Sequence, residues 1–279
     1  MIEANGLKKI YRNGFQALKG IDLSLSDRVT SITGRNGAGK TTLVRILSTQ
    51  LTLTSGKATI NGFDVMQEAR KIRKFIVSIP QEAAPVGIMT PAEMIKLYLV
   101  GRGLSLHDAD TDARQAMEEL DIISFRNTPT DMLSGGTKRK VFVAMAIAAN
   151  ADLVFLDEPT TGLDPIFRME VWSAIRKLKG NSVRTTHYME EARELSDLVV
   201  LIEGGRVLER GTVGELMKRF KGKVRVEGSR ITDPDLTIGG ISIKYVGMES
   251  AQKYVESGNM VRQVSLDDLF ILHGVEIEP

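Results

Sequence analysis

The chain has 279 residues, 42% of them hydrophobic and 26% charged, which is enough for one large domain or two smaller ones and excludes both disorder and a minimal scaffold. Its 37 basic and 35 acidic residues leave a net charge of +2, so no global field demands nucleic acid, and the absence of cysteine excludes disulfides and thiolate metal sites. The longest apolar run, residues 141–149, is far short of the roughly 20 residues that span a bilayer, and the opening MIEANGLKKIYRNG has no apolar core of signal-peptide length.

From Ile2 to Thr33, short alternating segments broken by Gly and Asn predict antiparallel strands, with strict period two in IDLSLS, and RVTSIT predicts a buried strand. That strand delivers the chain into GRNGAGKTT, after which TLVRILSTQL continues as an amphipathic helix. Gly34-Arg35-Asn36-Gly37-Ala38-Gly39-Lys40-Thr41 fits G-x-x-x-x-G-K-[ST] at every required place, between strand and helix, as a phosphate loop must. Its glycines let successive N–H groups converge on phosphate oxygens. Lys40 reaches the β and γ phosphates, and the Thr41 hydroxyl, followed by Thr42, can ligate Mg²⁺.

Next, KATINGFDV holds Asn61-Gly62 between two strand-like runs, a signal for a two-residue hairpin, and FIVSIP predicts a strand ending at Gln81. Residues of about 85–150 read as a helical insertion containing PAEMIKLYLV, TDARQAMEELDI and the apolar run that follows Ser134-Gly135-Gly136. LVFL then ends in Asp157-Glu158, as a strand buried on both faces would. Two adjacent carboxylates there divide into roles, Asp157 holding Mg²⁺ through water and Glu158 polarising an attacking water, although DEP is also a common acidic turn. PIFRMEVWSAIRKLKG returns as a helix, and the stretch through TTHYMEEARELSD leads to VVLIEGGRVLERGT, read as a closing hairpin, and the helix VGELMKRF. Gln81 and His187 are weak signals singly, but both sit at strand ends on the edge that carries the phosphate loop. Past Phe220, KVRVEG, ISIKYVG, SAQKYVES and LDDLFILHG predict a small α+β appendix. The basic clusters ARKIRK and KRFKGKVR read as solvated faces, and His107 and His273 have no metal-ligand company.

LSGGTKRK raises a separate question, because a serine and two glycines opening a helix make a second anion-facing end in a chain that already has a phosphate cradle. A helix terminus contributes about 0.3–1 kcal/mol to an anion, whereas even millimolar binding needs about 4 kcal/mol. It can therefore serve only as the second wall of a site whose first wall is a phosphate loop. A second copy of the chain would supply that geometry.

The set GRNGAGKTT, Gln81, LSGG, LVFLDEP, GLDP and TTHYMEEA, in this order over about residues 2–220, resembles the ATP-binding subunit of an ABC transporter. The resemblance implies an α/β fold: a P-loop NTPase core with a mostly parallel sheet, an N-terminal antiparallel β subdomain and a helical insertion. An ATP-binding domain over 1–220 would precede an accessory region over 221–279. It implies ATP and Mg²⁺ as cofactors and head-to-tail dimers of like or unlike chains. Ser134, Gly135 and Gly136 of one subunit would contact the γ-phosphate held by the other. Tyr11 would stack on adenine, Asp164 would line the dimer seam, His187 would contact the γ-phosphate, and Gln81 would link Mg²⁺ to a transmembrane permease. The subunit would then sit on the cytoplasmic face of the membrane through that permease, with no nucleic-acid partner. VRQVSLDDLFILHG is similar to the tail of subunits paired with type 2 exporters.

Four positions depart from the family pattern: Thr137 after LSGG, Lys140, Ala151 before the acidic strand, and Arg184 in the short segment GNSVRTTH. An unpaired buried arginine is costly, so the segment predicts a frayed or re-registered strand before His187. Two rival readings stand beside the transporter subunit. One is a soluble ABC-type ATPase acting on ribosomes or DNA, which usually carries two cassettes or a long coiled coil. The other is a nucleotide-gated switch, for which the irregular strand is the best argument.

Overall fold

The computed structural model describes residues 1–229 and 231–273. Strands β1 (Ile2–Ile10) and β2 (Gln16–Leu25) pair antiparallel, and β2 alternates buried and exposed side chains through IDLSL as its sequence requires. β3 (Val29–Thr33) is buried almost throughout and feeds helix α1 (Lys40–Leu47). That helix stops at Leu47, short of the predicted end, and Thr49 adopts a left-handed φ of 63°. β4 (Ser55–Ile60) and β5 (Phe63–Asp64) form the predicted hairpin, with positive φ at both Asn61 (50°) and Gly62 (83°). These strands make one antiparallel sheet of order β2-β1-β4-β5.

Helix α2 (Ala69–Phe75) carries ARKIRK and buries only Ile72, then turns into β6 (Ile76–Ile79). The strand ends before Pro80, which has no N–H to extend a ladder, so Gln81 lies in a turn instead of closing the strand. In the insertion, α3 (Pro91–Gly101) opens on a capping box of Thr90 and Glu93. α4 (Leu106–Glu119) starts earlier than TDARQAMEELDI predicts because Ser105 caps it, its hydroxyl accepting from the Asp108 N–H. α5 (Gly135–Ala148) completes the set, and Ile95, Leu99, Met117, Val141 and Ala144 form a core with the adjoining face of the main sheet.

β7 (Leu153–Asp157) is buried at every position, and α6 (Pro165–Arg176), β8 (Asn181–Thr186), α7 (Met189–Leu195), β9 (Leu198–Glu203) and β10 (Arg206–Gly211) follow. The main sheet has the order β10-β9-β3-β8-β7-β6 and is parallel except for β10, which closes the predicted hairpin on β9. A second core lies between this sheet, α1 and the antiparallel sheet.

β8 corrects one expectation. It is neither frayed nor re-registered: it pairs without a slip from Val29↔Ser182 to Thr33↔Thr186 on one side and from Leu153↔Asn181 to Asp157↔Thr185 on the other. Arg184 is 0% exposed yet partly partnered, its Nε donating to Ser31 Oγ at 2.9 Å and its Nη2 to Ser196 Oγ at 3.3 Å, while Nη1 has no hydrogen-bond partner among the described residues. Burial pulls the guanidinium down to about 10, while the nearby Glu191 carboxylate partly offsets that cost. Small hydroxyl residues on the neighbouring elements thus accommodate a charge where the fold calls for an apolar side chain.

After α8 (Val213–Met217), strands β11 (Lys223–Gly228), β12 (Leu236–Ile238) and β13 (Ile241–Gly247), helix α9 (Ala251–Glu256), β14 (Met260–Gln263) and α10 (Asp267–Leu272) make up the C-terminal region. Its strands form an antiparallel sheet of order β12-β13-β11-β14, in which β14 is an element the sequence pattern does not reveal. Gly274, which ends the predicted LDDLFILHG helix, lies outside the described residues. Leu269 and Phe270 of α10 join Met189, Val199, Leu201 and Phe220 in a third core cluster, so this region packs on β9 and on α7, the helix that begins two residues after His187. Among the described residues no helix is long and apolar enough to cross a membrane.

Candidate functional site

Three adjacent parallel strands, β3, β8 and β7, end at one edge of the main sheet, and the pairings Thr33↔Thr186 and Asp157↔Thr185 bring Gly34, His187 and Glu158 together there. The loop after β3 hugs its surroundings. A Cβ on Gly34 would lie 2.1 Å from the Ile202 carbonyl oxygen, and Gly39 combines φ 106° with a backbone oxygen, that of Ala17, 2.7 Å from where its Cβ would be. Lys40 is 4% exposed; its Nζ donates to the carbonyls of Gly34 (2.8 Å) and Arg35 (3.1 Å) and lies 3.4 Å from Glu158 Oε1. A cavity of about 320 Å³ opens in front, lined by Tyr11, Gly37, Lys40, Thr41, Gln81 and Glu158 among others. The Tyr11 hydroxyl is 3.1 Å from Thr42 Oγ1, which holds the ring at the cavity wall.

The two carboxylates have opposite environments. Asp157 Oδ1 accepts from the hydroxyls of Thr41 (3.0 Å) and Thr185 (2.5 Å), while Oδ2 is buried with no partner among the described residues. Burial pushes the Asp157 carboxyl above its ordinary range. An orphaned carboxylate oxygen beside a threonine hydroxyl is a hard oxygen donor set, and it fits Mg²⁺. Glu158, only 6% exposed, sits at a left-handed φ of 46°, a strained conformation for a non-glycine residue, with its N–H donated to Thr185 Oγ1 at 2.9 Å. Its Oε2 accepts from Thr161 Oγ1 at 2.8 Å, faces His187 Nδ1 at 3.0 Å, and lies 3.5 Å from Gln81 Nε2. Burial pushes this carboxyl up, but the Thr161 hydrogen bond and the charges of Lys40 and His187 hold it below its ordinary range.

The remaining predicted residues are elsewhere on the chain. Ser134 is exposed and caps α5, its Oγ accepting from the Thr137 N–H at 3.2 Å and lying 2.9 Å from the Thr137 hydroxyl. Gly136 packs on Phe167, whose ring would meet a Cβ at 2.8 Å, and neither it, Gly135 nor Ser134 lines the cavity. Asp164 is exposed and caps α6, accepting from the N–H groups of Ile166 (3.0 Å) and Phe167 (3.1 Å). Of the departures, Lys140 pairs with Glu170 at 3.0 Å and Ala151 is simply buried.

Sequence reasoning overlooks several contributors. Thr161 and Thr185 hold the carboxylates, and the threonine doublets in EPTTG and VRTTH, hydroxyls where a buried strand edge would take apolar residues, are the signal that reveals them. Phe15, 56% exposed, stands in the cavity wall with Tyr11. Asp267 and Phe270 of α10 border a second cleft of about 150 Å³ shared with Asn36 and His187.

A family model described as ABC transporter matches residues 18–161. The chain is 36% identical over 253 residues to the daunorubicin/doxorubicin resistance ATP-binding protein DrrA of Streptomyces peucetius, which covers 85% of this chain and 76% of that protein. It superposes with a TM-score of 0.69 and 25% identity on cbiO1 from Clostridium perfringens, part of the cbiONQ ABC transporter complex, over 78% of this chain and 90% of the other. An ATP-binding cassette solved as a dimer in a post-hydrolysis state with ADP and Pi shares the fold, with TM-score 0.68, 24% identity and coverage of 76% and 98%.

Proposed function

Because the chain belongs to the ABC transporter family as an ATP-hydrolysing subunit, we propose that it dimerises head to tail around two ATP·Mg²⁺ and powers a separate membrane-spanning permease as an exporter. The observation that carries this reading is the placement of Glu158, a buried carboxylate held ionised 3.0 Å from His187 and 3.4 Å from Lys40 at the wall of the cavity. In this reading Lys40 and the N–H groups of residues 34–39 bind the β and γ phosphates, with Thr42 beside them, and Tyr11 stacks on the base. Thr41, Asp157 and Gln81 would hold Mg²⁺, which neutralises phosphate charge when bound. Glu158 accepts a proton from the water that attacks the γ-phosphorus in line, and His187 contacts the γ-phosphate oxygens.

What the cavity lacks on its own chain supports the dimer. The Ser134 cap is exposed and outside the cavity, so Ser134, Gly135 and Gly136 reach a γ-phosphate only across an interface with a second subunit, and Asp164 borders that seam. Support also comes from the dimeric form of the structural relative. The drug-resistance name of the relative favours an exporter, and in this reading the subunit works at the cytoplasmic face of the membrane through its permease, with residues 221–279 as an accessory region. The switch reading loses its argument, since β8 is regular up to His187.

A mixing experiment tests the shared site. Ser134→Arg should abolish hydrolysis while ATP still binds the monomer, and adding Lys40→Ala subunits should restore at most one working site per dimer. Normal hydrolysis by each variant alone refutes the arrangement.

A further inference from the structure

Behind the site lies a buried carboxylate that the mechanism does not use. Glu191, in the first turn of α7, is 0% exposed, and its Oε2 accepts from the Thr160 hydroxyl at 2.6 Å and from the Thr186 hydroxyl at 3.1 Å. Thr160 stands two places after Glu158 in the turn that follows β7, and Thr186 immediately precedes His187 at the end of β8. Thr186 Oγ1 also accepts from the Tyr188 N–H at 3.0 Å, so this hydroxyl grips the backbone on the far side of His187 as well. One carboxylate oxygen therefore ties together the two segments whose side chains meet in the Glu158–His187 contact.

Packing alone gives no reason for a carboxylate here. Burial pushes the Glu191 carboxyl up, with Thr160, Arg184 and Thr186 among the groups that pull it back, and its Oε1 has no hydrogen-bond partner among the described residues. A methionine would fill the same space without that desolvation cost, at the loss of the charge that partly offsets the burial of Arg184. We infer that Glu191 is a positioning residue for ATP hydrolysis, clamping Thr160 and Thr186 to one point so that Glu158 and His187 stay in register across the reacting phosphate. The inference rests on the roles assigned to Glu158 and His187 above, and it acts through geometry: misplacement by about 1 Å can cost on the order of a hundredfold in rate.

Steady-state ATPase assays and ADP binding on the full chain test it. Glu191→Met should lower kcat about ten- to a hundredfold with KM and ADP affinity within about twofold, because the phosphate loop is untouched. Glu191→Gln, which keeps an acceptor oxygen, should recover most of the loss. Thr160→Val should reproduce the defect, Thr160→Ser should not, and the Thr160→Val/Glu191→Met double variant should be no slower than the worse single. Wild-type kcat in Glu191→Met, additive losses in the double variant, or ADP affinity falling in step with kcat would overturn the clamp. If Glu191→Met does not fold, equal rates for Thr160→Val and Thr160→Ser overturn it instead. Glu158→Gln, assayed alongside, separates the layers: full turnover there sinks the site reading and the clamp together, whereas its loss beside an unaffected Glu191→Met sinks the clamp alone.

Discussion

His187 presents Nδ1 to Oε2 of Glu158 at 3.0 Å, and that same oxygen accepts from the Thr161 hydroxyl at 2.8 Å. An ionised carboxylate can only accept, so Nδ1 carries the proton in this contact. Lys40 on the other oxygen, 3.4 Å from Oε1, completes an environment that keeps Glu158 charged despite its burial. A carboxylate held in this way is a proton acceptor set at a fixed place, not an acid.

Glu158→Gln keeps the shape of the side chain and removes its basicity. Turnover should fall about 10²–10⁴-fold, the usual worth of general-base catalysis, while ATP still binds. Size-exclusion chromatography with ATP should then show an accumulated dimer that wild-type protein passes through quickly. Unchanged ATPase activity would take the base role away from Glu158.

How much of this was legible from the residues depends on whether the signal is local. The loop from Gly34 to Thr41, the Asn61-Gly62 hairpin and the fully buried strand before Asp157 are written in consecutive residues, and the structure has each of them as a loop, hairpin and strand. What periodicity misreads is set by distant partners. Arg184 by itself argues for a broken strand, and its hydrogen bonds come from Ser31, far away in sequence, and from Ser196 beyond the next helix. The threonine doublet singles out Thr185, but its bonds to both Asp157 and the Glu158 N–H depend on β7 and β8 being neighbours in the sheet. The start of α4 was hidden for a simpler reason: a single Ser105 cap outweighed the apolar pattern.

The two site carboxylates should act on stability with opposite signs in metal-free, nucleotide-free protein. Asp157 has a raised pKa, so its ionised form costs stability at neutral pH, and that cost disappears as pH falls through the raised value toward the ordinary 3.8. Glu158 has a lowered pKa, so it contributes stability that is complete above its ordinary 4.5 and is lost as pH falls through the lowered value. Thermal unfolding at pH 7 should therefore show Asp157→Asn melting above wild type and Glu158→Gln below it. Both differences should shrink in acid. The reverse order at pH 7 would contradict the environments described here.

Ser31 and Arg184 should be strongly coupled. Ser31→Ala strands the buried Nε donor of Arg184 and should cost about 1–3 kcal/mol in chemical denaturation. Arg184→Met removes the charge together with its demand for partners, so adding it to Ser31→Ala should recover most of the loss. Simple additivity of the two changes would mean that the hydroxyl does not support the guanidinium.

Gly34 and Gly37 lie in the same loop but fail for different reasons when given a side chain. A methyl on Gly34 would collide with backbone, 2.1 Å from the Ile202 oxygen on β9 and 3.2 Å from Ala38 Cβ, and neither neighbour can rotate away. Gly37 has open space around it and only an unfavourable φ of 79°, worth about 1 kcal/mol for an L-residue. Gly34→Ala should therefore destabilise the fold by more than about 2 kcal/mol, as overpacking against fixed neighbours does, and push the loop off β9. Gly37→Ala should lose only about 1 kcal/mol by the same urea titration. Equal losses for the two would show that the loop yields at Gly34, and the close seating of the phosphate loop against β9 would then be no part of what holds Lys40 in place.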